Sequence, residues 1–139
     1  IKQVPPSVQA LALPADAALR KELLEAAGST PLPVLLQRGL ASVTDWLTAA
    51  ETIAAGGNQQ VLLLETGVRS ESGHLPDLVA VAELKALTRF PVLVALAGAP
   101  MPAQTQVAQL LAARAVGADG ALLSLADEKE LVGLAAVLD

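Results

Sequence analysis

Short apolar runs recur along the chain at Val8–Leu13, Pro33–Leu36, Val61–Leu64, Pro91–Leu96 and Ala121–Leu125, roughly every 28 residues. Each run is continuous rather than alternating, the pattern of a parallel strand covered on both faces. Between the runs, apolar positions recur at helical spacing, and parallel neighbours need such crossovers. The pattern predicts five βα units. Ser42-Val43-Thr44-Asp45 reads as a capping box, with Ser42 and Asp45 serving the first free amides of a helix. Trp46, Leu47, Ala50, Ile53 and Ala54 then share a face, and Gly56-Gly57 stops the helix. Asp77 caps a helix with Leu78, Val81 and Leu84 inward. Pro102 suits the first turn of a helix with Val107, Leu110, Leu111 and Ala115 inward. The first helix is expected over Asp16–Ala27, before Gly28, and the last over Asp127–Leu138. No linker interrupts the series, so residues 1–139 read as one domain. The longest irregular stretch is Gly67–Pro76, after the third strand, where long loops often carry function.

Two architectures fit an α/β chain of five parallel units. One is an open, flavodoxin-like doubly wound sheet. The other is the larger part of a TIM barrel. Periodicity does not choose between them.

Composition narrows the function. Hydrophobic residues make up 53% of the chain, yet there is one Trp, one Phe and no Tyr, so the core is aliphatic. The net charge is −5 and the nine basic residues are scattered, which argues against nucleic acid. No apolar run reaches the roughly 18 residues of a membrane span. Without cysteine there is neither a disulfide framework nor a thiolate metal site. The chain begins at Ile1 and shows no signal-peptide pattern, which suggests a processed chain or an excised domain, with the cytoplasm as the default location.

Motif order favours the barrel. PVLLQRG, GGNQQVLLLETGVR, DLVAVAELKALTRFPVLV and GADGALL follow one another in the chain. This series resembles the DAHP synthetase I/KDSA family, TIM-barrel enzymes that condense phosphoenolpyruvate with a phosphorylated sugar. The resemblance runs from Val8 onward and implies strands four to eight of that barrel. It also implies five functional positions, each substituted here. Asp16 stands where the family has a phosphate-binding arginine. Gln37 replaces the lysine of KRG, which contacts phosphoenolpyruvate. Thr66 replaces the arginine of ERG. Gly98 replaces a metal-binding histidine and Ser124 a metal-binding glutamate. The frame around them persists in Arg38, Gly39, Glu65, Gly67, Arg69 and Gly117-Ala118-Asp119-Gly120.

A phosphate in a cleft needs arginine or lysine to offset its desolvation. Removing one buried charged contact costs about 2–5 kcal/mol. Five such losses imply a domain without the family's catalysis, metal or cofactor. Arg38 and Arg69 remain as possible anion-binding residues, although the plainer reading pairs Arg38 with Glu65. His74, near Glu71 and Asp77, could in principle bind a metal or act as a base. A solvated loop histidine is the simpler expectation. Ser42 and Thr44 read as caps rather than nucleophiles. The expected role is structural, with strand edges covered by self-association or a protein partner. The alternatives are an anion- or effector-binding regulatory module and an active aldol-condensing synthase.

Overall fold

The structure, a computed structural model, describes residues 7–70, 73–96 and 103–123. In chain order these form β1 (Leu11–Leu13), a 3₁₀ turn (Ala17–Leu19), α1 (Lys21–Gly28), β2 (Val34–Gln37), α2 (Val43–Ala55), β3 (Val61–Glu65), β4 (Val68–Ser70), β5 (Gly73–Leu75), α3 (Leu78–Leu87), β6 (Val92–Leu96), α4 (Ala103–Ala115) and β7 (Gly120–Leu123). Five strands pair in parallel in the order β1-β2-β3-β6-β7, while β4 and β5 form a separate antiparallel hairpin.

Every strand of the main sheet lies beside its sequence neighbour, with no reversal of order. A flavodoxin-type sheet reverses at its switch point, so the open doubly wound alternative is excluded. The placing of the helices agrees. Leu13, Val34, Leu36, Val61, Leu63, Val92, Val94 and Leu96 join one core with Leu24, Trp46, Ile53, Val81, Leu84 and Leu110 from the helices. These strand residues share one face. The pleat sends Ala12, Leu35, Gln37, Leu62, Leu64, Leu93, Ala95 and Leu122 to the other. Helices on one face only are the mark of a barrel wall.

The strand ends are staggered as a barrel requires. Leu13, Leu36, Leu63 and Val92 lie level across the sheet. β1 stops at that level, β2 one residue later at Gln37 and β3 two later at Glu65. Two steps across the sheet thus climb two residues, and an eight-stranded barrel with a shear of about eight climbs one residue per strand.

Local sequence explains most of the elements. The Ser42 hydroxyl accepts from the Asp45 N–H at 3.1 Å and donates to the Asp45 carboxylate at 2.7 Å, so α2 starts where the capping pattern puts it. Trp46 is fully buried, and its indole N–H donates to the Leu36 carbonyl at 3.2 Å. The Asp77 carboxylate accepts from the Ala80 N–H at 3.0 Å and caps α3. Gly28 and Gly56 meet where α1 and α2 end. A Cβ on Gly28 would lie 2.9 Å from the Gly56 Cα.

Three expectations change. The first helix does not run unbroken from Asp16. A 3₁₀ turn buries Ala17 in the core, Arg20 leaves helical geometry, and α1 starts at Lys21. Gly67–Pro76 is not wholly irregular but holds the β4–β5 hairpin. Gly67, at φ +70° just before β4, has no room for a Cβ beside the Leu75 carbonyl, where the end of β5 passes it. On α4, Leu110 and Ala113 face inward with Gln106, while Leu111 and Ala115 are exposed. The helix expected over Asp127–Leu138 lies outside the described residues.

Two motif residues act as clips at the N-terminal end of the sheet. The Asp119 carboxylate accepts from the Val92 N–H and the Lys85 ammonium, both at 2.7 Å. Burial pushes this carboxyl up, but the lysine and the amide outweigh it and hold the carboxyl below its ordinary value. Asn58 is buried. Its amide donates to the Ala27 and Leu32 carbonyls at 3.2 and 2.8 Å, and its oxygen accepts from the Gln60 N–H at 3.0 Å. Asn58→Ala strands these backbone groups and lowers stability by at least about 2 kcal/mol. Urea unfolding measures this, and a loss within error of zero would show that water replaces the clip.

Candidate functional site

In barrel folds chemistry belongs at the C-terminal edge of the strands, here the ends of β1, β2 and β3 and the hairpin that follows. Alternation along β2 puts Val34 and Leu36 against the helices and Gln37 on the inner face. The next residue turns back to the helix side. The Arg38 N–H continues the ladder to the Leu64 carbonyl at 3.0 Å. Its guanidinium donates to the Ala41 carbonyl at 3.0 Å, to Glu65 at 2.9 Å and to Asp77 at 2.8 Å. On β3 the same alternation takes Glu65 to the helix side, and Thr66 follows just past the strand.

The expected Arg38–Glu65 pair is therefore present, and Asp77 adds a second carboxylate. The cluster joins the ends of β2 and β3 to the N-terminus of α3. Burial works against the charge on Arg38, but hydrogen bonds to Asp77 and Glu65 prevail and raise its pKa above the ordinary guanidinium value. The hydrogen bond from Arg38, helped by the Ala80 N–H, holds the Asp77 carboxyl below its ordinary 3.8. Glu65 is almost wholly enclosed, and its second oxygen accepts from the Gly67 N–H at 2.6 Å. One guanidinium shared by two carboxylates leaves the cluster net negative.

Asp16 is exposed beyond β1 and reaches Arg20 at 3.9 Å across one helical turn. A groove of about 380 Å³ beside it is lined by Asp16, Asp45, Leu19, Leu40, Ala41, Ser42 and Ala15, with no cationic side chain. Arg69 is exposed on β4, opposite His74 on β5. His74 is half-buried rather than solvated, with Nδ1 3.2 Å from the Thr66 carbonyl. The hairpin folds it back against its own entry residue. Asp77 faces Arg38, and Glu71 lies outside the described residues, as do Gly98 and Ser124. Among the described residues no group of three or more His, Asp or Glu side chains could hold a metal ion.

Asp77 as a partner of Arg38 has no local signal. The two are 39 residues apart, and only the parallel packing of β2 beside β3, followed by α3, brings them together. The cluster carries a stability prediction. Arg38→Met leaves Glu65 buried without its cation and costs about 3–5 kcal/mol. A depressed Asp77 stabilises the fold fully above pH 3.8, and that contribution fades as pH falls through the lower folded value. Acid unfolding of the wild type therefore includes an Asp77 step that Arg38→Met reduces. Equal acid sensitivity in both proteins would count against the linkage.

The sequence model of the DAHP synthetase I family matches residues 2–124. Phospho-2-dehydro-3-deoxyheptonate aldolase of Thermotoga maritima is 33% identical over 112 residues, covering 78% of this chain and 33% of that protein. The crystal structure of phospho-2-dehydro-3-deoxyheptonate aldolase (DAHP synthase) from T. maritima superposes with a TM-score of 0.78 at 27% identity, over 94% of this chain and 44% of the other. A truncated form of 3-deoxy-D-arabino-heptulosonate 7-phosphate synthase from T. maritima gives 0.74 at 28% identity, over 94% of this chain and 56% of the other. The chain thus spans about a third of the curated relative and about half of the solved ones. With five parallel strands in sequential order, a one-residue stagger and a family match over nearly its whole length, this chain belongs to the DAHP synthetase I family.

Proposed function

We propose that this chain is a non-catalytic member of its family, serving as an assembly or protein-interaction domain. One observation carries the reading. Gln37, where the family motif has lysine, falls on the inner face at the end of β2, and Thr66, where it has arginine, directly follows β3; both are neutral. The cation kept beside them, Arg38, is turned to the helix layer and held by Glu65 and Asp77. An anion at Arg38 would have to displace two carboxylates. The neighbouring groove is lined by Asp16 and Asp45, which repel phosphate. Exposed Arg69 supports a weaker second reading, an anion-binding module centred on the hairpin.

Titration calorimetry with phosphoenolpyruvate separates these readings. The expected affinity for the chain is weaker than about 1 mM. Gln37→Lys combined with Thr66→Arg, which restores the two motif cations, improves it at least about tenfold. In an aldol-condensation assay with phosphoenolpyruvate, a sugar phosphate and Mn²⁺, the chain gives no product. Turnover by the unmodified chain would overturn the non-catalytic reading. Tight binding abolished by Arg69→Ala would favour the regulatory module.

A further inference from the structure

Two leucines at the rim of the groove beside Asp16 stand almost clear of the protein. Leu40 is 92% exposed and Leu19 84%. Leu40 is held in that position. It sits in a turn closed by the Ala41 N–H, which donates to the Arg38 carbonyl at 3.2 Å. The Arg38 guanidinium grips the Ala41 carbonyl at 3.0 Å. Gly39, at φ +58°, leaves no room for a Cβ against the Ala15 side chain. The turn after β2 is thereby locked against the turn after β1. Leu19 projects from the 3₁₀ turn, which fully buried Ala17 anchors in the core. A single exposed leucine is ordinary. Two of them on one groove, each fixed by enclosed neighbours, make a preset apolar contact.

The groove between them is acidic. Asp16 and Asp45 line it, and no cation does. Asp16 reaches Arg20 only at 3.9 Å, and both side chains are exposed, so this surface pair contributes little. A second groove of about 270 Å³ shares Leu19 and Asp45 with the first. It follows α2 past Thr48 and Ala49 to Thr52, facing Ala18 and Leu24. Its one cation, Lys21, reaches Glu25 at 3.6 Å. From Ser42 to Thr52 the helix rises about 15 Å, the reach of an extended segment of about five residues. Both grooves lie between two consecutive βα units.

We propose, as a refinement of the assembly reading above, that these grooves dock an extended segment of a partner protein. A lysine or arginine of the segment sits between Asp16 and Asp45, and its aliphatic side chains lie against Leu40 and Leu19. Charge complementarity selects this occupant. A second copy of the chain brings a net charge of −5 to an acidic surface. A phosphorylated or acidic segment meets the same repulsion. A purely aliphatic one covers two carboxylates without pairing them.

Fluorescence anisotropy with labelled six-residue synthetic peptides tests this. One set places a lysine or arginine among leucine and valine. A second has glutamate in place of the cation, and a third has serine in place of the aliphatic residues. Members of the first set should bind with Kd below about 100 μM, and the other two sets at least about tenfold more weakly. Leu40→Ser and Asp45→Asn should each weaken binding at least about tenfold, while Leu87→Ser, on the exposed side of α3, leaves it unchanged. Asp16→Asn repeats the charge test at a side chain that makes no capping bond. Absence of binding across the first set, or equal binding of the glutamate set, would overturn the proposal. Equal affinity for arginine amide alone would reduce the grooves to a small-cation site and overturn it too. Self-association in sedimentation that Leu40→Ser abolishes would assign the surface to a second copy instead. Turnover of phosphoenolpyruvate by a chain that still binds the first set would leave the docking surface standing and remove the non-catalytic reading.

Discussion

Adjacent residues of a strand must point to opposite faces, and at the ends of β2 and β3 this divides the molecule's two tasks. Arg38 and Glu65 fall on the helix side, where they tie two strands to the start of α3. Gln37 falls on the inner side, where a ligand of a barrel would sit, and Thr66 follows the end of β3. The sheet, its helix layer and the capped start of α3 all meet at the first pair. A shift of one residue in the β2–β3 register would turn the guanidinium to the inner face and leave Glu65 buried alone. The register is held below by the leucine and valine layers and by the Asn58 and Asp119 clips.

This division separates stability from chemistry within consecutive residues. Arg38 is enclosed and held by two carboxylates, so it contributes to folding. Gln37 packs less closely and makes no hydrogen bond on which the sheet relies. A neutral residue there changes the character of the strand ends without disturbing the ladder. The Arg38 cluster is net negative, and the groove near Asp16 is lined by Asp16 and Asp45.

Much of the fold was legible in the sequence because it rests on local rules. The Ser42 and Asp77 caps and the Gly56-Gly57 stop each act within a few residues and stand where the pattern put them, while of the apolar runs the first is strand only over Leu11–Leu13 and the last is described only as far as Leu123. Strand order was not legible, since both candidate architectures share the same periodicity. It took the pairing of β2 with β3, where a flavodoxin-like sheet would pair the first strand with the third, to separate them. The hairpin itself was missed because Val68–Leu75 has too few apolar positions to show alternation. The face of α4 was misjudged because Gln106 lies inward, where a polar residue would not be sought. At the site, the pairing of Arg38 with Glu65 followed from their adjacent strands, but Asp77 depends on where α3 begins.

The Arg38 cluster also bears on how such a chain can change over generations. Replacing Arg38 removes the cation from a buried acid and is purged through loss of folding. Replacing the residue before it has no such penalty. Positions of the first kind are constrained by folding whether or not the chain turns over a substrate, and positions of the second kind are not. Arg38, Glu65 and Asp119 each have a packing role that would keep them in place on that ground alone.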